Sequence, residues 1–268
     1  MEAARRRARI YGGRAGKTAL GRGIAHPCLF LHLPKCGGTS LAEALYAAGP
    51  LHRRVGVIDA IATRRAAAIH AFGRDDAWLC HDDLEAGAET FDLRERLLLT
   101  HACWQTTLIH GHVLFTDRVE QHVLGDYRVV TVMRDPVRRA ISNYRMALAA
   151  GIAPADVDEW LASPIGRQHA TAALRYLSGR ASVPEAEADS ALAVAMRRIE
   201  QFAIIGFLED LPGFISAFAG MMGVRLSLGR ANEARGPAVS LDDGQMKRLE
   251  AMCAYDIALY RRAREIFG

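Results

Sequence analysis

Residues 34–41, PKCGGTSL, place one lysine, two adjacent glycines and two hydroxyl side chains directly after the apolar run CLFLHL. Glycines allow backbone N–H groups to converge on one point, and the first turn of a following helix carries partial positive charge. Lys35 adds a full positive charge at the same turn. The pattern predicts a binding site for an anion with phosphate-like oxygens, and an ordinary strand-to-helix turn is the alternative.

A second strand–turn–helix pattern, VVTVMRDPVRRAISNYR, offers another cation at the end of an apolar run. Arg134 follows the run, while Asp135 and Pro136 suit the cap and the first position of a helix. Arg134 can bind a phosphate through two parallel hydrogen bonds, and Ser142 can add a hydroxyl two turns later. An ion pair between Arg134 and Asp135 or another carboxylate is the alternative. Two anion sites at the carboxyl ends of parallel strands together predict a ligand with phosphates at both ends of a nucleoside.

The segment LIHGHVLF contains two histidines separated by one glycine. In an extended chain, His110 and His112 lie on the same face, and Gly111 leaves room for a substrate between them. A neutral imidazole near pH 7 can accept a proton from a hydroxyl, so the pair is a candidate general base. A structural role is the alternative.

Another lysine motif, GGRAGKT at residues 12–18, is similar to the phosphate loop of nucleoside triphosphatases. That loop needs four residues between its first glycine and the Gly-Lys pair, and it follows an apolar strand. Here three residues separate Gly12 from Gly16, and no apolar run precedes them. We therefore do not expect a phosphate loop at this position.

The elements that must position these residues follow from the pattern of apolar runs. Runs that begin near residues 28, 127 and 202 are each followed by a helical pattern. This alternation predicts an α/β fold with a central parallel sheet covered by helices on both faces. The stretch IDAIATRRAAAIHAF is also helical in period, and the chain is expected to end in one helix that begins after Ser240.

Length and composition indicate one large domain. The chain has 268 residues, 50% of them hydrophobic, and a formal net charge of +4. Residues 1–25 are predicted to be a basic, flexible tail, and residues 26–268 a single domain. Contact of the tail with nucleic acid or an anionic membrane is an alternative that we do not favour. No apolar run approaches the ~20 residues that span a bilayer, so a cytoplasmic protein is expected. The five scattered cysteines predict free thiols and no metal site.

Four segments taken together give a resemblance to a known family: PKCGGTSL, RDPVRRAISNY, FAIIGFLEDL and DIALYRRAREIF. Their order resembles that of carbohydrate sulfotransferases that use 3′-phosphoadenosine 5′-phosphosulfate (PAPS), especially the heparan 2-O and 6-O branch and its bacterial relatives. The similarity covers about residues 28–268. It implies a P-loop-like sulfotransferase fold, PAPS as the donor, 3′-phosphoadenosine 5′-phosphate (PAP) as the product, a saccharide acceptor and no metal.

The same resemblance implies roles for individual residues. It makes His112 the general base and Lys35 a second catalytic residue, and it assigns Arg134 and Ser142 to the 3′-phosphate. Arg175 and Arg235 are weaker candidates near the adenine, with salt bridges as the alternative. The residues assigned to the 5′-phosphosulfate are Lys35, Cys36, Gly37, Gly38, Thr39 and Ser40, of which Cys36 departs from the threonine usual in the family.

Three functions stay open from the sequence. The first is sulfuryl transfer from PAPS to a saccharide hydroxyl. A nucleotide kinase is disfavoured because neither a triphosphate loop nor a magnesium-binding aspartate after a strand is evident. A non-catalytic nucleotide- or glycan-binding protein is disfavoured because a binder needs no base. An anionic acceptor would require a basic cleft, and the candidates for it, or for a solvated helix face, are His52, Arg53, Arg54, Arg64 and Arg65.

Overall fold

The structure is a computed structural model, and it describes residues 2–229 and 238–268. Five parallel strands form one sheet in the order β2-β3-β1-β4-β5. The predicted α/β class with a central parallel sheet is confirmed. The strands are β1 (Cys28–Leu31), β2 (Val55–Ile58), β3 (Leu108–Gly111), β4 (Arg128–Met133) and β5 (Ile204–Phe207).

Helices connect the strands and flank the sheet. A 3₁₀ turn at Glu185–Glu187 precedes α10. The α-helices are α1 (Glu2–Ala19), α2 (Gly38–Ala48), α3 (Ala60–Phe72), α4 (Gly87–Cys103), α5 (Asp117–Val123), α6 (Pro136–Ala149), α7 (Val157–Ala162), α8 (Pro164–Ala170), α9 (Ala172–Ser178), α10 (Ala188–Ile199), α11 (Leu211–Met222), α12 (Asp243–Met252) and α13 (Ala254–Phe267).

The central strands are buried, as a sheet covered on both faces requires. Every residue of β1, β3 and β5 is buried, which explains the continuous apolar runs of β1 and β5, while β3 includes the buried His110. The pattern alone did not identify β2, because this edge strand leaves Val57 exposed and is therefore not buried on both faces. The apolar runs predicted near residues 127 and 202 are β4 and β5.

The prediction of a flexible basic tail is wrong, because α1 packs along α2. A Cβ atom on Gly13 would lie 2.7 Å from the Cβ of Ala47, so the two helices approach closely at this glycine. Arg9 donates to the Glu43 carboxylate at 2.8 Å, and Arg14 donates to three backbone carbonyls just after α2. This basic segment can fold onto the domain because Glu43 neutralises the charge of Arg9 and backbone carbonyls accept the hydrogen bonds of Arg14. The GGRAGKT motif lies inside α1 and not at a strand-to-helix turn.

The prediction of one closing helix is also wrong, since the chain bends at Cys253 between α12 and α13. The break lets the two helices bury different apolar faces. Leu249 packs with Tyr144 and Trp160 in a cluster beside α6, whereas Leu259 packs in the main core. The N-cap of α12 is Asp242, which forms a capping box with Gln245, so Ser240 lies outside the helix.

Strand register aligns the segments that carry the candidate site. In the parallel pairing of β1 with β3, Leu31 lies beside Gly111, so His32 and His112 emerge side by side at the carboxyl end of the sheet. On the other side of β1, Leu31 pairs with Thr131 of β4. The turns after β1, β3 and β4 therefore meet at one edge of the sheet.

Candidate active site

The turn between β1 and α2 has the backbone shape of an anion-binding turn. Lys35 has φ of 59° and Gly37, the N-cap of α2, has φ of 84°, both in the left-handed region. The backbone conformation of Gly37 favours glycine, and a Cβ atom there would also lie 2.6 Å from Cδ1 of Leu208, which would have to move. Among the described side chains, none caps the first N–H groups of α2. Those donors are therefore available to an anion.

Lys35 brings an uncompensated positive charge to this turn. Its side chain is partly buried, and no carboxylate of the described residues lies within ion-pair distance of it. Burial lowers the pKa of the Lys35 amine, the negative charge of Asp83 opposes this, and Arg64 and Arg134 add to the lowering. A bound anion would relieve both the desolvation and the repulsion between these cations.

Cys36 is a buried part of the turn. Its Sγ donates a weak hydrogen bond to the Pro34 carbonyl at 3.4 Å, and burial raises the pKa of the thiol to about 12. Cys36 can therefore contribute its backbone N–H to a ligand, while its side chain is occupied. Ser40 is partly buried in the first turn of α2, which begins at Gly38, and the Thr39 side chain lies outside the described part of the structure.

Arg134 holds the turn from the neighbouring strand. Its Nη1 donates to the Lys35 carbonyl at 3.2 Å, and its other N–H groups have no protein acceptor among the described residues. The alternative of an ion pair with Asp135 does not occur, because the Asp135 carboxylate instead caps α6 by accepting from the Arg138 N–H at 2.8 Å. Ser142 lies partly buried on α6, two turns beyond Arg134.

The two histidines of LIHGHVLF have different environments. His110 is buried under α2, where Nδ1 and the Tyr46 hydroxyl are 2.7 Å apart and the ring stacks on Phe30. His112 stacks on His32 with ring centroids 4.0 Å apart. The structure therefore separates a core histidine from one at the sheet edge.

His112 and Lys35 line the same cleft, which has a volume of about 350 Å³. Burial, together with the nearby His32, lowers the pKa of His112 well below that of a free histidine. Burial and the Lys35 charge lower the pKa of His32 to about 4. Both rings are therefore neutral at pH 7, and a neutral imidazole can accept a proton.

A buried charge network forms part of the cleft wall, and sequence reasoning did not identify it. Asp82 accepts from Arg64 and Arg94, each at 2.8 Å, and from the Tyr176 hydroxyl at 3.0 Å. Burial alone would raise the pKa of Asp82, but Arg94 and Arg64 hold it well below its usual value. Arg94 also donates to the backbone carbonyl of His112 at 3.0 Å, so the network holds the main chain of the candidate base.

The adjacent Asp83 anchors a second set of buried groups. Arg175 donates to Asp83 at 2.9 Å, and Nε2 of His169 lies 3.3 Å from the same carboxylate. Arg175 also donates to the carbonyls of Asp82 and Ala181, so each of its guanidinium nitrogens has a protein acceptor. Arg175 is thus neither an adenine contact nor a surface salt bridge, because it is fully buried and its donors are used. Arg235 lies outside the described residues.

The predicted basic cleft is only partly present. Arg64 lines the cleft, but its Nε is paired with Asp82. Arg65 forms an exposed ion pair with Asp75, and Arg54 lies over the ring of Trp104. Neither of them, nor His52 or Arg53, is among the residues that line the cleft.

Sequence reasoning did not identify four lining residues, His32, Trp78, His81 and Asn143. His32 could have been found by aligning the strand that precedes it with the one before His112. Asn143 follows Ser142 directly in a motif that was considered for its arginine and its serine. Trp78 and His81 lie in the loop between α3 and α4, where no periodic pattern indicates a site.

Comparisons with known proteins add no further assignment. No protein-family model matches the chain, and no curated protein matches it either. The resemblance to carbohydrate sulfotransferases therefore rests on the four segments quoted above and stays a prediction. Among the described residues, no helix combines the length and apolar character needed to cross a membrane.

Proposed function

We propose that the protein is a sulfotransferase that moves the sulfuryl group of PAPS to a hydroxyl of a saccharide or glycoconjugate and releases PAP. The observation that carries the proposal is the shared cleft of Lys35, a cation without a carboxylate partner, and His112, a neutral imidazole. The sheet order, with β1 at its centre, is compatible with a P-loop-like sulfotransferase fold, which forms part of the proposal.

The donor would be held by the groups that the two turns leave without partners. Lys35 and the backbone N–H groups of residues 36–40 would bind the 5′-phosphosulfate, and the free N–H groups of Arg134 would bind the 3′-phosphate with the Ser142 hydroxyl. PAPS supplies a sulfuryl group on a phosphate leaving group.

His112 would take the proton of the acceptor hydroxyl as its oxygen attacks sulfur. A new S–O bond forms to the acceptor, the S–O bond to the 5′-phosphate breaks, and its electron pair stays on the phosphate oxygen. Lys35 and the turn amides would stabilise the charge that builds on the bridging and leaving oxygens. The lowered pKa of His112 keeps the base unprotonated, and the Arg94 hydrogen bond keeps it in place.

The first test is nucleotide binding by calorimetry, with PAP compared against AMP. Loss of a charge-assisted contact costs about 1.5–3 kcal/mol, so PAP should bind roughly 10- to 100-fold more tightly than AMP. Ser142→Ala should lower the ratio of PAP affinity to AMP affinity. Arg262→Ala, which removes an exposed arginine paired with Glu200, should leave this ratio unchanged. Equal affinity for the two nucleotides would reject the proposal.

A transfer assay then separates the remaining alternatives. Appearance of sulfated saccharide from PAPS supports the enzyme. Tight PAP binding without transfer to any acceptor would favour a non-catalytic binding protein, and phosphorylation of a nucleotide by magnesium ATP would favour a kinase.

A further inference from the structure

Most of the cleft lies beyond the residues proposed to hold the donor. Lys35 lines it, but Cys36, Arg134 and Ser142 are not among its lining residues. Lys35 and His112 therefore stand at the boundary between the donor turn and this additional space. We asked what the other wall, formed by Trp78, His81 and Asn143, is able to bind.

Asn143 is buried without any partner for its side chain. It is 1% exposed, and neither Oδ1 nor Nδ2 has a hydrogen-bond partner in the described part of the chain. A buried amide that makes no hydrogen bond is costly, and such groups are uncommon in folded proteins. An amide at the wall of a cleft offers one acceptor and two donors, the combination that pairs with hydroxyl groups.

His81 contributes a second polar group without a hydrogen-bond partner, and this group is a donor. Its Nδ1 accepts from the Asp83 N–H at 3.2 Å, and burial lowers the pKa of the ring to about 4. The neutral ring therefore carries its proton on Nε2. This buried N–H has no acceptor among the described residues, so the wall of the cleft holds a donor without a partner.

Trp78 gives the same wall an apolar surface. Its ring stacks on that of His81, with centroids 5.7 Å apart and an angle of 20° between the planes. The side chain is 38% exposed where it lines the cleft. A large aromatic side chain beside hydrogen-bonding groups suits a ligand that has an apolar ring face and polar edges.

The three side chains that form this wall carry no charge near pH 7, because the lowered pKa of His81 keeps its ring neutral. The Asp82 and Asp83 carboxylates are paired with buried arginines, and Arg64 is paired with Asp82. Lys35 is the cation that the proposed function assigns to the donor. Recognition at the opposite wall thus depends on an amide, a neutral imidazole and an indole.

We propose that Trp78, His81 and Asn143 form the acceptor subsite, and that it takes an uncharged saccharide ring. One face of the ring packs on Trp78, its hydroxyls pair with Asn143 and His81, and the reacting hydroxyl lies toward His112. This inference rests on the proposed sulfotransferase function and makes it more specific, because it names the residues and the charge class of the acceptor.

The test is equilibrium binding to protein that is first saturated with PAP. Saturation-transfer NMR would compare methyl glycosides of common hexoses with the corresponding methyl uronides, which differ by one carboxylate. At least one neutral glycoside should bind, and its Kd should rise about tenfold or more in Trp78→Ala and about fivefold or more in Asn143→Ala. Trp104→Ala removes another exposed tryptophan that does not line the cleft and should leave the Kd unchanged.

Ionic strength distinguishes this subsite from a basic cleft that uses Arg64. Between about 50 and about 200 mM salt, the Kd of the neutral glycoside should change less than about twofold, because no charge of the ligand is screened. Binding of uronides alone, binding of no glycoside, or an unchanged Kd in Trp78→Ala would each overturn the inference while PAP binding stays intact. Failure of the wild-type protein to bind PAP appears in calorimetry before any sugar is added, and it would overturn the proposed function and this inference together.

Discussion

The buried ion pair between Arg139 and Asp256 should be among the strongest determinants of stability in this fold. Arg139 of α6 donates to the Asp256 carboxylate of α13 at 2.6 Å. The same carboxylate accepts the N–H groups of Ala173 and Leu174, at 2.7 and 2.8 Å, in the first turn of α9. One side chain therefore joins three helices, including α6, which carries Ser142 and Asn143.

The expected magnitude follows from the burial of both partners. Arg139 and Asp256 are at most 2% exposed, so removing one leaves a desolvated charge. Such losses cost about 3–5 kcal/mol, which is a large part of the ~5–15 kcal/mol that stabilises a typical domain. Arg139→Met and Asp256→Asn should each lower the free energy of unfolding by about this amount. The double variant should lose clearly less than the sum of the two single losses, because it leaves no unpaired charge.

The pH dependence of the free energy of unfolding provides a second measurement on these variants. Burial raises the pKa of the Asp256 carboxyl, and Arg139 and the two α9 amides oppose this. Without Arg139 the folded-state pKa rises further above the unfolded value, so the folded protein binds a proton at mildly acid pH. The destabilisation of Arg139→Met relative to wild type should therefore be smaller near about pH 5 than near about pH 8, by up to ~1.4 kcal/mol for each pH unit in which the folded carboxyl is protonated.

Urea unfolding followed by tryptophan fluorescence measures these quantities, because Trp160 is buried in the cluster beside α6. Arg262→Met is a matched control, since it removes an exposed arginine from an exposed pair and should leave the midpoint unchanged. Two results would show that Arg139 and Asp256 are not coupled. One is a double variant whose loss of unfolding free energy equals the sum of the two single losses. The other is a loss in Arg139→Met that is the same at both pH values.

Two further predictions concern catalysis. His112→Ala should leave PAP affinity nearly unchanged and lower the single-turnover rate by about 10²–10⁴, and a matched loss of PAP binding would make it a nucleotide contact instead. Because burial lowers the pKa of His112, wild-type turnover should persist as pH falls past the ordinary histidine value of ~6.5 and decline only at lower pH, so a midpoint near ~6.5 would contradict the assigned environment. Lys35→Ala should lower the rate by on the order of 10²–10³, more than it weakens PAP binding, because the charge that Lys35 meets is larger in the transition state; equal losses in the two measurements would refute this role.

The parallel sheet could be predicted because burial on both faces imposes continuous apolar runs. That constraint applies strongly to β1, β4 and β5 and weakly to the edge strand β2, whose Val57 faces solvent. The folded state of α1 could not be predicted from its charge. Its arginines are anchored by Glu43 and by carbonyls after α2, groups that come from another part of the chain.

Some residues of the candidate site could likewise be predicted from the sequence, and others could not. Lys35 and Arg134 could be identified because each follows an apolar run and precedes a helical pattern, a local signal. Asp82 and Asp83 could not, because adjacent aspartates in a loop usually face solvent. Only tertiary contacts with arginines of α3, α4 and α9 make it possible to bury them.

The buried network has a consequence for the proposed chemistry, because Arg94 connects it to the base. Arg94 donates to Asp82 and to the His112 carbonyl through the same nitrogen, while its other nitrogens donate to Thr63 and the Ala60 carbonyl at the start of α3. Under the proposed function, the backbone of His112 would not need to move when the acceptor arrives, and preorganised polar groups supply much of the rate enhancement of enzymes. The anchored backbone of His112 and the unpaired Lys35 at the same cleft are therefore our reason to propose an enzyme and not a protein that only binds nucleotides.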